Sequence, residues 1–483
     1  MHGPGAAPSG APPARRLPLF TKLSFGLGSI AYGIKDNGFA TFLLLFYNQV
    51  VGLPATMVGS AILAALVIEA FADPLVGYLS DHTRSRLGRR HPWMYGSALP
   101  VALGWVLLWN PPTGWSHGAL ALYLFGSALL TRLALSAFEI PASALGPELS
   151  SDYDERTRLF SYRYLFGWFG GLAMLALAYG VFLVPDAAHA VGLRNGAGYS
   201  RMALFGALAM AVAIILSSLG LQREVRFMPA VTTVRQTLAE HFALFRQTVQ
   251  NRAFAVLMAA SLFAYTAQGL SFALSNYLYQ YVWHLHGAQY QLVAVALLAG
   301  AMGAFVLAPQ AARGGDKPRI GMMLSFANAV LCVLPYVLRQ LGAFPPDTSP
   351  WMVPLLLVIL GVNTTAGVAA FILGSAMLSD VVEDAELRTG QRSEGVFFAG
   401  SFFIQKTTTG LGTFLASAVL AASAFPIGAD AATLSPAVVS RLVIWFIVLM
   451  FTLYGIASLL TSRFPFGRAE HLERLARLGV ERG

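Results

Sequence analysis

The stretch from Asp73 to Trp93 reads DPLVGYLSDHTRSRLGRRHPW, and it joins the end of one long apolar run to the start of the next. It carries spaced glycines, one further acid and several arginines: Gly77, Asp81, Arg84, Gly88, Arg89 and Arg90. An acid and arginines at adjacent helix ends can form ion pairs in one of two conformations. A cluster that only kept positive charge on one face of a membrane would require neither the acid nor the spaced glycines. The stretch therefore predicts a loop that fastens two membrane helices in a switchable way.

The composition extends this interpretation to the whole chain. Hydrophobic residues make up 56% of the 483 positions and charged residues only 11%, whereas an ordinary soluble domain is about 25% charged. The chain lacks the charge to cover a soluble surface of this size. A membrane helix needs roughly 20 apolar residues, so we predict an all-α membrane protein with twelve transmembrane helices. Loop arginines near anionic lipid, and not nucleic acid, then explain the net charge of +9.

Apolar runs separated by charges or by Pro and Gly clusters predict the twelve spans. The first six lie near residues 22–48, 56–80, 93–110, 118–147, 160–184 and 201–221. The second six lie near residues 253–282, 288–309, 319–341, 352–379, 395–424 and 440–462. The polar stretch between the two sets has apolar residues at helical spacing, which predict an amphipathic helix on the membrane surface. These residues are Val234, Leu238, Phe242, Phe245 and Val249.

Positive charge predicts the orientation of the spans. If both termini and the loops after spans 2, 4, 6, 8 and 10 share one side, that side holds 25 of the 32 Lys and Arg residues and the other side holds four. The positive-inside bias then places both termini in the cytoplasm, in a plasma (inner) membrane protein. We predict a disordered cytoplasmic tail, an N-terminal six-helix half, a cytoplasmic linker, a C-terminal six-helix half and a second cytoplasmic tail. Their ranges are 1–21, 22–222, 223–252, 253–463 and 464–483.

The two predicted halves resemble each other. The loop after span 4 reads DYDERTR (Asp152 to Arg158), and the loop after span 10 reads EDAELRTGQR (Glu383 to Arg392). Acidic-then-basic loops at matching places indicate a duplicated architecture with two pseudo-symmetric halves. Secondary transporters are built in this way, with a substrate site between the halves near the membrane midplane.

Charged residues inside the spans are the candidate functional groups, because each costs roughly 2.5–3.5 kcal/mol to insert. Glu69 and Asp73 are four residues apart, so both carboxylates lie on one face of span 2. Two acids in a dry site repel each other unless a cation or a proton joins them. They are therefore candidates for a cation site. Alternatively, Asp73 lies at the cytoplasmic end and only meets water.

Further intramembrane charges lie in spans 4 and 11. Span 4 offers Ser136 and Glu139 to one place, with Arg132 two turns earlier on the same face. Arg132 is either a structural counter-charge or a substrate contact. Lys406, in span 11, is a candidate bridge across the cavity that should face Glu139. Alternatively, its long stem carries the ammonium to the interface.

Two further segments complete a family resemblance that covers nearly the whole chain. They are GLGSIAYGIKDNG (Gly26 to Gly38) and FFIQKTTTG (Phe402 to Gly410). With the loop after span 2, they resemble the glycoside–pentoside–hexuronide:cation symporters, the melibiose permease-like family of the major facilitator superfamily. The resemblance implies the major facilitator fold and a set of ligands. The implied cation ligands are Glu69, Asp73, Ser136 and Glu139, and the implied substrate contacts are Lys35, Asp36, Glu139, Arg163, Phe371 and Lys406.

Residues at several of these positions depart from the family pattern. Glu69 and Glu139 stand where the family's best-known member has aspartates, and the longer side chains would reshape a sodium site. Ser143 and Phe371 stand where aromatic residues, in the second case a tryptophan, are expected. The scaffold of a symporter is unaffected by these changes.

We therefore expect a cation-coupled symporter of a sugar or glycoside that works by alternating access, with sodium or a proton as the coupling ion and no cofactor. The alternatives are a carrier of another amphipathic solute, such as a lysolipid, and a non-transporting membrane sensor. An enzyme is not expected, because the chain has no HExxH motif, no Walker loop and no Cys/His metal spacing, and Cys332 is its one cysteine. The expected partners are a small-molecule substrate, the coupling cation and the lipid bilayer, with the protein a monomer.

Overall fold

The computed structural model describes residues 17–150, 153–187, 189–225, 251–389, 394–431, 433–467 and residue 470. Every regular element in these residues is helical, so the all-α architecture predicted from the sequence is confirmed. Most of the two predicted tails and the predicted amphipathic helix of the linker lie outside the described residues. The predicted domain ranges stay predictions for that reason.

Twelve helical segments, α1 to α12, follow one another along the described chain, and the first consists of several shorter pieces. The pieces of α1 are Leu19–Leu27, Ser29–Asn37, Gly38–Phe42, Leu43–Leu45 and Phe46–Val50. Helices α2 to α6 are Ala55–His82, His91–Leu108, His117–Leu149, Tyr153–Leu177 (continued by the π-helical turn Ala178–Phe182) and Gly196–Gln222. Helices α7 to α12 are Arg252–Tyr281, Gln289–Gly314, Lys317–Gln340, Met352–Thr389, Glu394–Ala422 and Pro436–Ser462.

The first helix is irregular in the region that carries two predicted site residues. Gly38–Phe42 and Phe46–Val50 are π-helical turns, and Lys35 and Asp36 lie in the last turn of the α-helical piece before the first of them. Such turns occur mostly as single bulges, frequently at functional sites. Together with a break at Gly28, they divide α1 into pieces of nine residues or fewer. Nine helices of the described chain are long and apolar enough to cross a membrane, and α1 is not among them because no piece of it has the required length.

The helices pack in two sets that repeat each other. In the first six, α2 packs on α4, α3 packs on α4 and α6, and α1 packs on α5. In the second six, α8 packs on α10, α9 packs on α10 and α12, and α7 packs on α11. Adding six to each helix number converts the first set of contacts into the second. The duplication inferred from the two similar loops therefore extends to the helix packing.

Small residues allow the closest of these contacts. A Cβ atom on Gly33 of α1 would overlap the carbonyl oxygen of Gly167 of α5, and a Cβ atom on Gly269 of α7 would overlap the carbonyl oxygen of Thr409 of α11. Because lipid supplies no hydrophobic force between helices, close backbone approach through small residues is a main source of packing energy in membranes. The same device holds matching helix pairs in both halves.

A set of polar contacts joins the halves at one end of the bundle. We call this the opposite end, where α1 and α7 finish, and call the end with the loop Thr83–Arg90 the basic end. The side-chain amide nitrogen of Gln49 donates to the carbonyl oxygen of Pro426 (3.1 Å). Its amide oxygen accepts from the backbone N–H of Ala429 (2.8 Å) and from the hydroxyl of Tyr281 (3.3 Å). Gln49 thus ties the first half to α7 and to the loop after α11.

Neighbouring bonds extend this contact. The Tyr277 hydroxyl donates to Asn48 Oδ1 (2.9 Å), the Asn276 amide donates to the carbonyl oxygen of Thr41 (3.0 Å), and the Tyr179 hydroxyl donates to Asn276 Oδ1 (2.7 Å). We call these residues and Gln49 with its partners the opposite-end latch. Further hydrogen bonds between the halves are those of Lys406, in the middle of α11. The bundle is therefore held closed at its opposite end.

The latch predicts that Gln49→Leu opens the opposite end. The substitution keeps the side-chain size but leaves buried partners in the other half unsatisfied, at about 1–3 kcal/mol each. That cost should shift the population towards a conformation that is open at the opposite end by about tenfold or more. The shift is measured by labelling Ala40→Cys, in a Cys332→Ser background, with an impermeant thiol reagent. The reagent is added on the side of the membrane that the opposite end faces. Asn110→Leu is the matched control, because that amide bonds Val106 of its own half. Equal labelling in both variants would contradict the role of the latch.

Candidate functional site

The central feature is a lysine of the second half that contacts two acids of the first. Glu69 and Asp73 project from one face of α2, as their spacing predicts. Lys406 of α11 places its ammonium 2.9 Å from Glu69 Oε1 and 2.7 Å from Asp73 Oδ2. The lysine therefore bridges the halves inside the bundle, and does not extend to the membrane interface.

Helix α4 closes the other side of the acid pair. Arg132 Nε donates to Glu69 Oε2 (2.5 Å), and the Ser136 hydroxyl donates to Glu69 Oε1 (3.2 Å). Lys406 also lies 3.3 Å from the Ser136 oxygen. Glu69 is only 3% exposed, and both of its oxygens are engaged. Of the two roles considered for Arg132, its contacts support the structural counter-charge.

Glu139 has a different partner from the one expected. We expected Lys406 to face it, but Arg163 of α5 donates to Glu139 Oε2 (2.5 Å). The guanidinium of Arg163 also lies 5.3 Å from the centre of the Phe25 ring. Because Arg163 already compensates Glu139, the ammonium of Lys406 lies on the acids of α2. The expected contact between Lys406 and Glu139 is therefore replaced by two separate ionic groups.

A cavity between the halves lies beside these groups. Lys35 and Asp36 line it, with Lys35 Nζ 3.8 Å from Asp36 Oδ1 and 4.7 Å from the centre of the Tyr32 ring. The Asp36 side chain is 43% exposed and the Lys35 side chain only 4%. The other polar and aromatic residues of the wall are Phe39, Arg132, Gln268, Phe272, Gln405, Lys406, Thr409 and Thr413. Both halves thus contribute charged, amide, hydroxyl and aromatic groups to one space.

Comparison with known proteins identifies the family of the chain. The family described as MFS/sugar transport protein matches residues 24–468. The chain belongs to this family.

Members of the sugar transport family and structures of the same fold resemble the chain over most of its length. The inner membrane symporter YicJ of Escherichia coli is 25% identical, covering 92% of this chain and 91% of its own. The glucuronide carrier protein homolog of Escherichia coli is 26% identical over 84% of each chain. The isoprimeverose transporter of Lactiplantibacillus pentosus is 22% identical, over 88% and 85%. The inward-open xylose transporter of Escherichia coli has a TM-score of 0.60 at 15% identity, over 95% and 98%. The predicted family and the major facilitator fold are confirmed.

Phe371, a predicted substrate contact of this family member, lies away from the central cavity. Its ring stacks on Tyr265, with the centroids 4.7 Å apart and the planes at 19°. Both rings line a second cavity within the second half, among α7, α9, α10 and α12. The structure does not bring Phe371 together with Lys35 and Asp36, so its contact with substrate stays a prediction.

The loop between α2 and α3 forms the ion pairs that its sequence predicts and adds one partner that it does not reveal. Arg90 contacts Asp81 Oδ1 (2.5 Å), and both Arg89 and Arg90 contact Glu148 Oε1 of α4 (2.9 and 3.1 Å). Gly88 has a φ of +89°, a backbone conformation that other residues rarely adopt. Two other residues singled out in this stretch contribute less to the conformation of the loop. Arg84 is exposed, and the position of Gly77 is open enough for a Cβ atom.

Glu148 was missed because it lies 55 residues beyond the end of the quoted stretch, on another helix. Its position near the basic end of span 4, among residues otherwise apolar or small, was the available signal. The uncharged wall residues of the cavity could not be identified from the sequence either. Tyr32, Gln268 and Gln405 are polar residues of a kind that many membrane helices contain, and their convergence depends on the packing of three helices.

Glu148→Gln tests the contact that fastens α4 to the loop. Without the carboxylate, Arg89 and Arg90 lose their shared partner, and charged hydrogen bonds contribute about 1.5–3 kcal/mol each. We expect the maximal transport rate to fall about tenfold with the solute KM unchanged, because this contact lies outside the cavity. Transport kinetics in proteoliposomes measure both values, with Asp347→Asn as the control at an exposed acid paired with Arg339. A raised KM at an unchanged maximal rate would contradict this assignment.

Proposed function

We propose that the protein is a secondary active transporter that couples uptake of a sugar or glycoside to a cation by alternating access. The observation that carries the proposal is Lys406, which crosses from the second half to Glu69 and Asp73 of the first. A charge contact between the halves, beside a cavity that both halves line, allows ion binding to bias their relative movement. Relatives named for a glucuronide and for isoprimeverose support a sugar derivative as the solute.

The proposed cation ligands are Glu69, Asp73, Ser136 and Glu139. The ammonium of Lys406 already lies within 3.3 Å of oxygens of three of these residues. We infer that it stands in the position that the coupling cation takes when the lysine withdraws. Asp73 Oδ1 and Glu139 Oε1 are buried and have no hydrogen-bond partner in the described part of the chain. Buried oxygens of this kind favour a proton or a metal cation, so sodium or a proton is the proposed coupling ion.

The proposed solute contacts are Lys35, Asp36, Glu139, Arg163 and Lys406, with Phe371 as a further candidate. Charged groups form strong hydrogen bonds and can engage several hydroxyls of one sugar. The rings of Tyr32 and Phe39 line the same cavity and offer apolar faces to the C–H surface of a pyranose. This mixture suits a solute that is polar at its edge and apolar on its face.

The charges of the site explain how the two ligands depend on each other. Glu139 and Arg163 neutralise each other, as do Lys35 and Asp36. A sugar that bonds Glu139, Arg163 or Lys406 draws these groups from their present partners, and a cation at the acids compensates for the charge that Lys406 leaves behind. Each ligand then binds better in the presence of the other, and this enhancement is reciprocal.

We propose further that the protein is an integral protein of the inner membrane, with both termini on the cytoplasmic side. In that orientation the opposite-end latch faces outward and the described conformation is closed to the outside. The proposed unit is a monomer without cofactor or catalytic activity. The lipid bilayer, the solute and the coupling ion are its partners.

The direct test is uptake by proteoliposomes that contain the purified protein. A panel of labelled hexuronides, pentosides and hexosides is offered under an imposed sodium gradient or an imposed proton gradient. We expect accumulation of at least one solute above its external concentration, driven by one of the two ions. Binding of a panel member without accumulation under either gradient would contradict symport and favour a sensor.

The site predicts that Asp73→Asn abolishes accumulation driven by the ion gradient. The amide keeps the size of the side chain but removes the charge that attracts the cation, so the ion gradient can no longer be used. Exchange of labelled for unlabelled solute should persist, because Asp73 is not among the proposed solute contacts. Asp186→Asn, at an exposed acid of the α5–α6 loop, is the matched control. Undiminished accumulation by Asp73→Asn would remove Asp73 from the coupling mechanism.

A further inference from the structure

Arg132 differs from Lys406, the other cation that contacts the α2 acid pair, in where it is held. Arg132 and its partner Glu69 both belong to the first half, on α4 and α2, which pack on each other along their length. The guanidinium is buried and lies 5.4 Å from the centre of the Phe39 ring of the same half. Movement of one half against the other leaves this ion pair intact. Lys406 reaches the same acids from the second half and withdraws with it.

The charges around the acid pair can be counted for each arrangement. With Lys406 in place, Glu69 and Asp73 are balanced by Arg132 and Lys406. When Lys406 withdraws, one negative charge is left, because Arg132 still compensates Glu69. Without Arg132, two negative charges would be left. The two neighbouring ion pairs, Lys35 with Asp36 and Arg163 with Glu139, add no net charge.

Arg132 is also suited by its chemistry to a permanent role. A guanidinium stays protonated under all conditions relevant to proteins, and its planar fork matches a carboxylate. A buried ion pair of this kind is strongly disfavoured to break, since either partner alone would be an uncompensated charge. The charge of Glu69 is therefore not available for exchange, although its Oε1 atom can remain an oxygen ligand after Lys406 leaves.

We propose that Arg132 is a fixed counter-ion that limits the α2 acid pair to one exchangeable charge, carried by Asp73. It is a positioning residue that acts through Glu69, and it sets the number of monovalent cations that the pair binds at one. This inference rests on the proposed cation-coupled function, because it specifies the capacity of the same site. If Arg132 were instead a solute contact, its removal would weaken solute binding without changing the number of cations bound.

The experiment counts cations bound by the purified full-length protein. Sodium chloride is titrated in a calorimeter, and a pH indicator in a parallel weakly buffered titration records protons taken up or released. The variants are Arg132→Gln, Arg132→Lys and the double variant Arg132→Gln/Glu69→Gln. The expected result is one more monovalent cation, sodium or proton, bound by Arg132→Gln than by the wild type. Arg132→Lys and the double variant should return to the wild-type number, because one keeps the counter-charge and the other removes the acid with it.

The outcomes separate this inference from the function on which it rests. A wild type that binds neither sodium nor a proton would overturn the proposed function itself. A wild type that binds one cation, with Arg132→Gln binding the same number, would overturn only the role of Arg132. If Arg132→Gln alone does not fold, the double variant decides: one bound cation supports the fixed counter-ion, and none overturns it.

Discussion

Lys406 of the second half contacts Glu69 and Asp73 of the first, and this ionic contact joins the halves at the centre of the bundle. Charges in the membrane interior are costly, and the cost is reduced only by pairing or by access to water. Here one half supplies two acids and one cation, and the other half supplies the second cation. Neither half is neutral at this point by itself. Electrostatics therefore favours the arrangement in which the halves meet.

The same need for charge balance explains how the bundle can bind a cation. If the halves separate around the acids, the lysine leaves, and an ion must replace its charge. The opposite-end latch is different in kind, because it consists of uncharged amides, hydroxyls and carbonyls such as those of Gln49 and Tyr281. Such bonds contribute about 1 kcal/mol each, so the latch can open and close without moving a charge through lipid. Closure of the opposite end thus depends on a neutral latch, whereas ion coupling depends on a charged bridge at the centre of the bundle.

The sequence predicted those features that depend on one helix or on one loop. The i, i+4 spacing places Glu69 and Asp73 on one face, and the glycines and charges of Asp73–Trp93 predict the ion pairs of that loop. Both were predictable because residues that interact, or that share a face, lie close along the chain. The partner of Glu139 was not predictable in this way. The choice between Arg163 and Lys406 depends on how α5 and α11 approach α4, which no local pattern encodes.

Other features of the structure were not predictable from the sequence, because they too depend on contacts between distant segments. The first π turn of α1 packs against α7, and neither π turn is visible in the apolar pattern of α1. The latch joins residues more than 200 positions apart, and the position of Phe371 in a separate cavity depends on the conformation of the second half.

A double-mutant cycle between Asp73 and Lys406 tests whether the two side chains interact and whether the coupling ion replaces that interaction. Thermal unfolding is measured for the wild type, Asp73→Asn, Lys406→Gln and the double variant, with and without a saturating concentration of the coupling ion. We expect an interaction energy of at least about 1 kcal/mol without the ion and its loss when the ion is bound, because the ion then stands in the place of the ammonium. Additive effects of the two substitutions in the absence of the ion would contradict a bridge between Lys406 and Asp73.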